Sequence, residues 1–288
     1  MIPAEINKNV CEVLCKIHGQ EVIIRGESTI GGGCINNALK LETNVSTYFL
    51  KWNSASSFPG MFSSEARGLN LLRNSSTLYI PEVISANESE EHSYLMLEYI
   101  DSATMSKSYW EHFGKSLAEL HKVSTDQFGL DHDNYIGSLR QSNQQHSTWK
   151  DFFINERLMP QLKLASLEAG LTQKFENLYG KLDEIFPNEP PALLHGDLWS
   201  GNYMVSKTGA PVTMDAAVYY GHRETDLAMS KLFGGFDSRF YSAYNEAFRL
   251  EQGWQERFDI CNLYPLLVHV NLFGGSYLNQ VRSTLEKF

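Results

Sequence analysis

The sequence predicts an α+β fold of two lobes, an N-terminal antiparallel sheet with one helix and a mostly helical C-terminal lobe. Before Ile100, apolar and polar residues alternate in several short segments, which is the pattern of half-buried strands. After Ile100, apolar residues recur mainly at helical spacing. We therefore expect residues 1–100 to form one lobe and residues 101–288 the other. No linker rich in proline or glycine separates them, so a tight hinge is expected.

The N-terminal lobe is predicted to contain five strands, with a helix from Met61 to Arg73 between the third and the fourth. Pro81 indicates that the fourth strand lies at an edge or begins there, because proline cannot donate to the hydrogen-bond ladder. The strand segments are EVIIRGESTI, NNALKLET, STYFLKWN, YIPEVISAN and SYLMLEYI. Residues 1–20 are predicted to form a further, amphipathic helix, whose apolar face comprises Ile6, Val10, Val13, Leu14 and Ile17.

The C-terminal lobe is predicted to be helical except in two regions. Helices are expected in SYWEHFGKSLAELHKV, in WKDFFINERLMPQLKLASL, from Thr172 to Ile185 and towards the C-terminus. The segment FGLDHDNYIGSL is interpreted as a turn-rich loop. Two short strands, YMVSK and PVTMD, are expected just after residue 200.

Composition and charge exclude several classes of protein. Hydrophobic residues make up 42% of the 288 residues and charged residues 20%, which is ordinary for a globular chain. The net charge of −10 disfavours nucleic acid and anionic membranes as general partners, because like charges repel. No apolar run is long enough to span a bilayer, and the N-terminus lacks the pattern of a signal peptide. Because four cysteines are too few for a disulfide framework at this length, we expect a cytoplasmic protein.

The stretch HGDLWSGN, from His195 to Asn202, carries the most informative pattern, together with Asp215 further along the chain. Phosphoryl transfer from ATP requires a carboxylate that orients the attacking hydroxyl and oxygen ligands that hold magnesium against the phosphates. Asp197 and Asn202 have the spacing of a kinase catalytic loop, and a β-hairpin would return Asp215 to the same place. The pattern therefore predicts a kinase reaction in which Asp197 is catalytic, and Asn202 and Asp215 hold the metal.

Two features of the N-terminal lobe agree with this chemistry. Lys51 lies in the apolar strand FLKW, and Glu65 lies on the following helix, where it can face back towards the sheet. A Lys–Glu pair at these places positions the α- and β-phosphates of ATP in kinases. The turn of Gly31, Gly32 and Gly33 joins the first two strands, and glycines let backbone N–H groups approach a phosphate closely. The turn has neither the Walker-A ending nor the full G-x-G-x-x-G pattern, so its position supports the prediction more than its sequence.

Over essentially its whole length the chain resembles the fructosamine/ketosamine-3-kinase family, a branch of the protein-kinase-like fold close to aminoglycoside phosphotransferases and choline kinases. The resemblance rests on GGGCIN, FLKWN, Glu65, FGLDHDNYIGSL, LLHGDLWSGN, DAAVYYGHRETDLAMSKLFGGF and HVNLFGGSY. It implies a bilobal protein-kinase-like fold, with ATP and Mg²⁺ as cofactors. It also implies that Asp197 is the catalytic base, that Asn202 and Asp215 bind magnesium, and that Lys51 with Glu65 positions the phosphates.

The resemblance extends to residues outside the catalytic stretch. The backbone of Glu98, Tyr99 and Ile100 falls where the hinge would bind adenine. Asp226 corresponds to the acidic residue that secures the catalytic loop from a following helix. The family usually has proline after the metal-binding aspartate, whereas this chain has Ala216, which puts the rigidity of that loop in question.

The implied reaction is phosphorylation of the 3-hydroxyl of a ketosamine, such as a ribulosamine or fructosamine on a free amine or a protein lysine. Because such 3-phosphates shed the sugar, the implied role is deglycation. An aminoglycoside, an amino alcohol or another sugar is an alternative acceptor for the same fold. A pseudokinase that binds nucleotide without catalysis is a further alternative, but the full set of catalytic residues argues against it.

Trp199 and Cys34 have two possible roles each. Trp199 lies near the proposed base, and an aromatic face packs well on a sugar, so Trp199 is either a substrate platform or a residue that buries the loop. Cys34 lies in the phosphate-facing turn, where backbone N–H groups favour a thiolate. The resemblance implies a redox switch through an intersubunit disulfide, hence a monomer or a redox-linked homodimer, whereas the alternative for Cys34 is a small filler residue. His195 is expected to orient the loop, and the roles of His222, Arg223, His269 and Asn271 stay open.

Overall fold

The computed structural model describes residues 2–31 and 35–287, and its N-terminal part is a five-stranded antiparallel sheet. The strands are β1 (Ile24–Thr29), β2 (Asn37–Thr43), β3 (Thr47–Ser54), β4 (Val83–Glu88) and β5 (His92–Glu98). Their spatial order is β1-β2-β3-β5-β4. Strand β3 is therefore central and β4 is an edge strand, which confirms the interpretation of Pro81. Helices α1 (Ala4–His18) and α2 (Met61–Asn74) accompany the sheet.

Alternation along β5 decides which helix covers which face of the sheet. Tyr94 and Met96 belong to the same apolar cluster as the buried side of α1, whereas Leu95 and Leu97 belong to the cluster that contains α2. Successive side chains of a strand point to opposite faces, so the two helices lie on opposite sides of the sheet. The prediction that Ile17 belongs to the apolar face of α1 is wrong. Ile17 is 56% exposed, because it lies in the last turn of the helix, beyond the last buried residue.

The C-terminal part is mostly helical, as predicted. Helices α3 and α9 pack closely, and a Cβ atom added to Gly114 on α3 would lie 2.2 Å from the carbonyl oxygen of Phe240 on α9. None of the described helices is both long and apolar enough to cross a lipid bilayer. The helices are α3 (Tyr109–Leu120), α4 (Trp149–Phe152), α5 (Met159–Ala165), α6 (Ala169–Tyr179), α7 (Leu182–Ile185), α8 (Glu224–Leu232), α9 (Ser238–Ala247), α10 (Trp254–Cys261), α11 (Leu263–Phe273) and α12 (Leu278–Leu285).

Three pairs of short antiparallel strands complete this part. They are β6 (Asn134–Ile136) with β7 (Leu139–Gln141), β8 (Ala192–Leu194) with β11 (Tyr219–Gly221), and β9 (Tyr203–Val205) with β10 (Pro211–Thr213). The pair β9–β10 confirms the two strands predicted after residue 200. The segment interpreted as a loop, FGLDHDNYIGSL, instead contains β6 and leads into β7, with Gly137 at φ +59° in the turn. Strands of three residues are too short for their periodicity to be recognised in a sequence.

Two predicted helices are interrupted. Between α4 and α5 the chain forms a π-helical segment, Phe153–Leu158, rather than one continuous α-helix. The segment predicted from Thr172 to Ile185 divides into α6 and α7 at Gly180, which ends α6. A short 3-10 segment, Gly275–Tyr277, connects α11 to α12.

Candidate active site

Lys51 is the centre of charge in the cleft between the sheet and the helical part. On β3 it shares the α2-facing side with Phe49, and it is only 5% exposed. Its Nζ donates to Glu65 Oε1 at 2.6 Å and to Asp215 Oδ1 at 2.7 Å. Burial alone would lower the pKa of Lys51, but the two carboxylates raise it above its usual value. The lysine is therefore a fixed cation that joins residues from both parts of the chain.

Asp215 takes the unusual backbone conformation that aims its carboxylate at this lysine. It follows β10 and has φ +53°, in the left-handed region, which aspartate tolerates better than most residues. Lys51 holds the pKa of Asp215 below its usual value. The next turn is tied to the catalytic loop, because Ala217 N–H donates to the carbonyl oxygen of His195 at 2.9 Å.

Asp197 and Asn202 face each other across the loop between β8 and β9. Asn202 Nδ2 donates to Asp197 Oδ2 at 2.8 Å and to the Asp197 carbonyl oxygen at 2.9 Å. Burial, and then the nearby carboxylates of Asp215 and Asp226, raise the pKa of Asp197 to about 7, although hydrogen bonds from Asn202 and Trp199 oppose the rise. A carboxylate with a pKa near neutrality is suited to accepting a proton from an alcohol.

Asp226 secures the start of this loop from helix α8, as the resemblance implies. Its carboxylate is fully buried and accepts from the backbone N–H groups of His195 at 2.7 Å and Gly196 at 2.9 Å. His121 Nε2 lies 3.2 Å from the same carboxylate. His195 contacts the carbonyl oxygen of Met214 through Nε2 at 3.1 Å, and burial lowers its pKa. Both contacts of His195 fit its predicted orienting role.

Lys51, Glu65, Asp197, Asn202 and Asp215 all line one cleft, which has a volume of about 510 Å³. Trp199 lines it, half-buried, with its ring edge-to-face with Phe233 at 5.8 Å. A Cβ atom at Gly201 would lie 2.5 Å from the Trp199 ring, so glycine makes room for the indole. On the sheet side the cleft is lined by the apolar residues Ile30, Ala38 and Phe49.

The remaining predicted nucleotide contacts are described only in part. Gly31 lines the cleft, but Gly32, Gly33 and Cys34 lie outside the described residues. Glu98 is the last residue of β5, and Tyr99 and Ile100 follow it; none of the three is among the residues that line the cleft. The N–H of Glu98 already donates to the Glu82 carbonyl oxygen.

The residues present fit a nucleotide and a divalent cation. The apolar wall on the sheet side suits a purine ring, and Lys51 suits the phosphates. Because Asn202 donates through its Nδ2, its Oδ1 is available as a ligand for a cation, and Asp215 lines the same cleft. Oxygen ligands of this kind are those that Mg²⁺ prefers.

The residues whose roles the sequence left open make contacts within the protein. They are His222, Arg223, His269 and Asn271. Arg223 pairs with Glu189 at 2.6 Å and donates to the carbonyl oxygens of Phe248, the C-cap residue of α9, and of Arg249. Its guanidinium therefore binds the end of a helix, as one of the two alternatives predicted, and is not free for a phosphate. Burial lowers the pKa of His222 to about 4. On α11, His269 Nδ1 lies 2.7 Å from the Pro265 carbonyl oxygen, and Asn271 donates to Gln161.

Sequence reasoning missed the amide side chains of Asn134 and Gln141. Asn134 lines the cleft and donates to the Val218 carbonyl oxygen at 2.8 Å, and Gln141 donates to the Ala217 carbonyl oxygen at 3.2 Å. Both hold the chain just after Asp215. Their contacts depend on long-range tertiary structure, and no local pattern in the sequence indicates them.

Comparisons with known proteins agree with this geometry. Residues 6–288 match the fructosamine kinase family. A probable ketoamine kinase of Synechocystis is 38% identical over 283 residues, covering 97% of this chain and 96% of the relative. A chloroplastic protein-ribulosamine 3-kinase of Arabidopsis thaliana is 37% identical over 278 residues, covering 94% of this chain and 84% of the relative.

A solved structure supports the same relationship. It is described as a candidate fructosamine-3-kinase from Haemophilus somnus, with 29% identity and a TM-score of 0.86 over 96% of both chains. The predicted bilobal, protein-kinase-like α+β fold is thereby confirmed. With a family match across nearly the whole chain and relatives above 30% identity, the chain belongs to the fructosamine kinase family.

Proposed function

We propose that this protein transfers the γ-phosphoryl group of ATP to the 3-hydroxyl of a ketosamine, a ribulosamine or fructosamine carried by a free amine or a protein lysine. The ribulosamine 3-kinase and ketoamine kinase relatives support this acceptor. Membership of the family makes the chain an ATP-dependent phosphotransferase with an alcohol acceptor. Because the 3-phosphates of ketosamines shed the sugar, the proposed role is deglycation.

One observation carries the proposal most directly. Lys51 joins Glu65 from α2 to Asp215 from the other part of the chain, in a cleft that Asp197 also lines. Kinase chemistry needs this combination, because a cation positions the phosphates and a separate carboxylate serves the acceptor. We assign phosphate positioning to Lys51 and Glu65.

Asp197 is assigned as the catalytic base. It would accept the proton of the 3-hydroxyl as that oxygen forms a bond to the γ-phosphorus. The bond from the γ-phosphorus to the bridging oxygen then breaks, and ADP leaves. Asn202 fixes the orientation of the Asp197 carboxylate through its Nδ2. With a pKa of about 7, Asp197 is about half deprotonated at neutral pH and largely deprotonated, and therefore competent, in slightly alkaline solution.

Asn202 and Asp215 are assigned to hold Mg²⁺, which would offset the charge of the phosphates when bound. We assign adenine binding to the backbone of Glu98, Tyr99 and Ile100, and phosphate contacts to Gly31, Gly32 and Gly33. Glu98 would act through its carbonyl oxygen, since its N–H is already used.

The first experiment measures ATP consumption by the purified protein with magnesium and three acceptors, a ribulosyl-lysine, a fructosyl-lysine and an aminoglycoside. We expect turnover with a ketosamine, its loss in Asp197→Asn, and its loss when EDTA removes the metal. Asp126→Asn is the matched control, because Asp126 is exposed and outside the cleft. Turnover with the aminoglycoside alone, or nucleotide binding without turnover on any acceptor, would overturn the proposed acceptor.

The same assay tests Trp199 as the substrate platform. Trp199→Ala should raise KM for the ketosamine much more than KM for ATP, because an aromatic face contributes mainly to sugar packing. Equal changes in both constants would mean that Trp199 only buries the loop.

A further inference from the structure

Two buried amide side chains hold the backbone that follows Asp215. Asn134 and Gln141 form the first cross-strand pair of the β6–β7 hairpin and are 5% and 1% exposed. Asn134 Nδ2 donates to the Val218 carbonyl oxygen at 2.8 Å. Gln141 Nε2 donates to the Ala217 carbonyl oxygen at 3.2 Å and to Asn134 Oδ1 at 2.8 Å. Water cannot easily replace these donors, because the residues are buried.

A second layer of hydrogen bonds fixes the orientation of both amides. Tyr264 on α11 donates its hydroxyl to Gln141 Oε1 at 2.6 Å, which turns Gln141 Nε2 towards Ala217. Asn143 donates to Asn134 Oδ1 at 3.1 Å. Asn143 is itself held by the fully buried guanidinium of Arg157 at 2.7 Å. The network therefore has one arrangement in which every amide is satisfied.

The same backbone segment also touches the helix that carries Glu65. A Cβ atom added to Gly68 on α2 would lie 3.0 Å from Val218 Cγ2, so glycine lets the helix approach this segment closely. The hairpin contacts the start of α2 as well, because Tyr135 donates its hydroxyl to the Pro59 carbonyl oxygen at 3.0 Å. One hairpin thus supports both carboxylates that hold Lys51.

We propose that Asn134 and Gln141 are positioning residues that hold Asp215 in place for a divalent cation and so set the affinity of the nucleotide-bound protein for that cation. This inference rests on the proposed function, because it assigns Asp215 to the metal. Ala216 has no ring to restrict its backbone, and Asp215 itself has a left-handed φ. The restraint must therefore come from other parts of the chain. Lys51 and the His195 carbonyl oxygen provide part of it, and the two amides add to it at Ala217 and Val218.

The test is Gln141→Leu, which keeps the approximate size of the side chain and removes the donor. Gln145→Leu is the matched control, because Gln145 is exposed and lies on the same segment. Mn²⁺ binding to the ADP-bound protein is measured by electron paramagnetic resonance, alongside KM for Mg²⁺, KM for the ketosamine and the urea midpoint. We expect Mn²⁺ affinity to fall by about tenfold in Gln141→Leu, the effect of losing one to two hydrogen bonds. In Gln141→Leu, KM for the ketosamine should stay within about twofold, because the substitution removes no contact to the acceptor. Gln145→Leu should match the wild type in all four measurements.

Tyr264→Phe provides a milder second variant, which removes one hydroxyl and releases the orientation of Gln141. Its control is Tyr179→Phe, because the Tyr179 hydroxyl has no hydrogen-bond partner among the described residues. The proposal is supported if Tyr264→Phe loses Mn²⁺ affinity, by less than Gln141→Leu does, while Tyr179→Phe binds Mn²⁺ as the wild type does. Unchanged Mn²⁺ affinity in both test variants, or a rise only in KM for the ketosamine, would overturn it.

Failure of the proposed function would look different. Mn²⁺ binding with ADP needs no acceptor, so the positioning role stands if the variants weaken metal binding while no ketosamine is phosphorylated. A wild-type protein that does not bind Mn²⁺ with ADP would overturn the metal assignment and this inference together.

Discussion

At the scale of single residues, Asp197 has an environment that suits its chemistry and opposes folding. Burial and two neighbouring carboxylates raise its pKa to about 7, against an ordinary value of 3.8. The folded protein therefore binds more protons at this site than the unfolded chain does at any pH between these two values. Stability falls with rising pH wherever the folded state binds more protons. The ionised carboxylate therefore destabilises the folded protein, and this destabilisation reaches its full size above about pH 7.

This cost predicts how Asp197→Asn changes the free energy of unfolding. The variant should gain stability relative to the wild type as pH rises from about 4 to 7, and keep that gain at pH 8. The gain is at most about 4 kcal/mol, because each pKa unit corresponds to about 1.36 kcal/mol. Urea unfolding of both proteins at several pH values, without nucleotide or metal, measures the difference. Asp126→Asn, at an exposed position outside the cleft, is the matched control. A difference between Asp197→Asn and the wild type that is constant with pH would contradict the prediction.

At the scale of elements, the crossing of α3 and α9 depends on a missing side chain. Gly114 lies inside α3, where glycine is a poor helix former, yet a Cβ atom there would lie 2.2 Å from the Phe240 carbonyl oxygen and 3.0 Å from the Tyr244 nitrogen. The close approach brings Phe113 against Phe240 with ring centroids 5.2 Å apart. Close helix packing therefore outweighs helix propensity at this position.

Gly114→Ala should accordingly destabilise the protein, although alanine favours helices. The backbone atoms of α9 cannot move aside cheaply, so the expected loss is about 1–3 kcal/mol, the usual range for overpacking. Gly170→Ala is the matched control, since Gly170 lies in α6 with open space around it. That change should be neutral or stabilise by up to about 1 kcal/mol. Thermal unfolding of the two variants distinguishes them, and equal melting temperatures would contradict the packing argument.

At the scale of the whole molecule, the site is assembled from both parts of the chain. Lys51 and Glu65 come from the sheet and its helix, whereas Asp197, Asn202 and Asp215 come from the other part. A ligand that binds these groups together also opposes separation of the two parts. The predicted boundary near residue 100 stays a prediction, as does the redox-linked dimer through Cys34.

ADP with Mg²⁺ should therefore raise the melting temperature of the entire protein. At a hundred times the dissociation constant, a ligand that binds only the folded state stabilises it by about 2.7 kcal/mol. Lys51→Met should lose most of this shift, because the buried cation that faces the phosphates is gone. Lys16→Met, at an exposed position on α1, should keep the full shift. A full shift in Lys51→Met would show that the nucleotide does not use this lysine.

The sequence by itself determined the fold class, the order of the main strands and helices, and the candidate residues Lys51, Glu65, Asp197, Asn202 and Asp215. It could do so because strand and helix periodicities are local, and because kinase chemistry requires a few residue types at fixed spacings. The role of Asp226 followed from the resemblance, and the structure places its carboxylate on the loop as expected.

Only the tertiary structure decided how these residues are supported. The β6–β7 hairpin, the pairing of β8 with β11 and the interrupted helices are too short or too irregular to leave a periodic pattern. Arg223 could not be assigned from sequence, because its partner Glu189 lies 34 residues away. Around the segment after Asp215, Asn134 binds Val218 across 84 residues and Tyr264 binds Gln141 across 123 residues. Hydrogen bonds between distant residues depend on how the whole chain packs, and a local pattern cannot specify them.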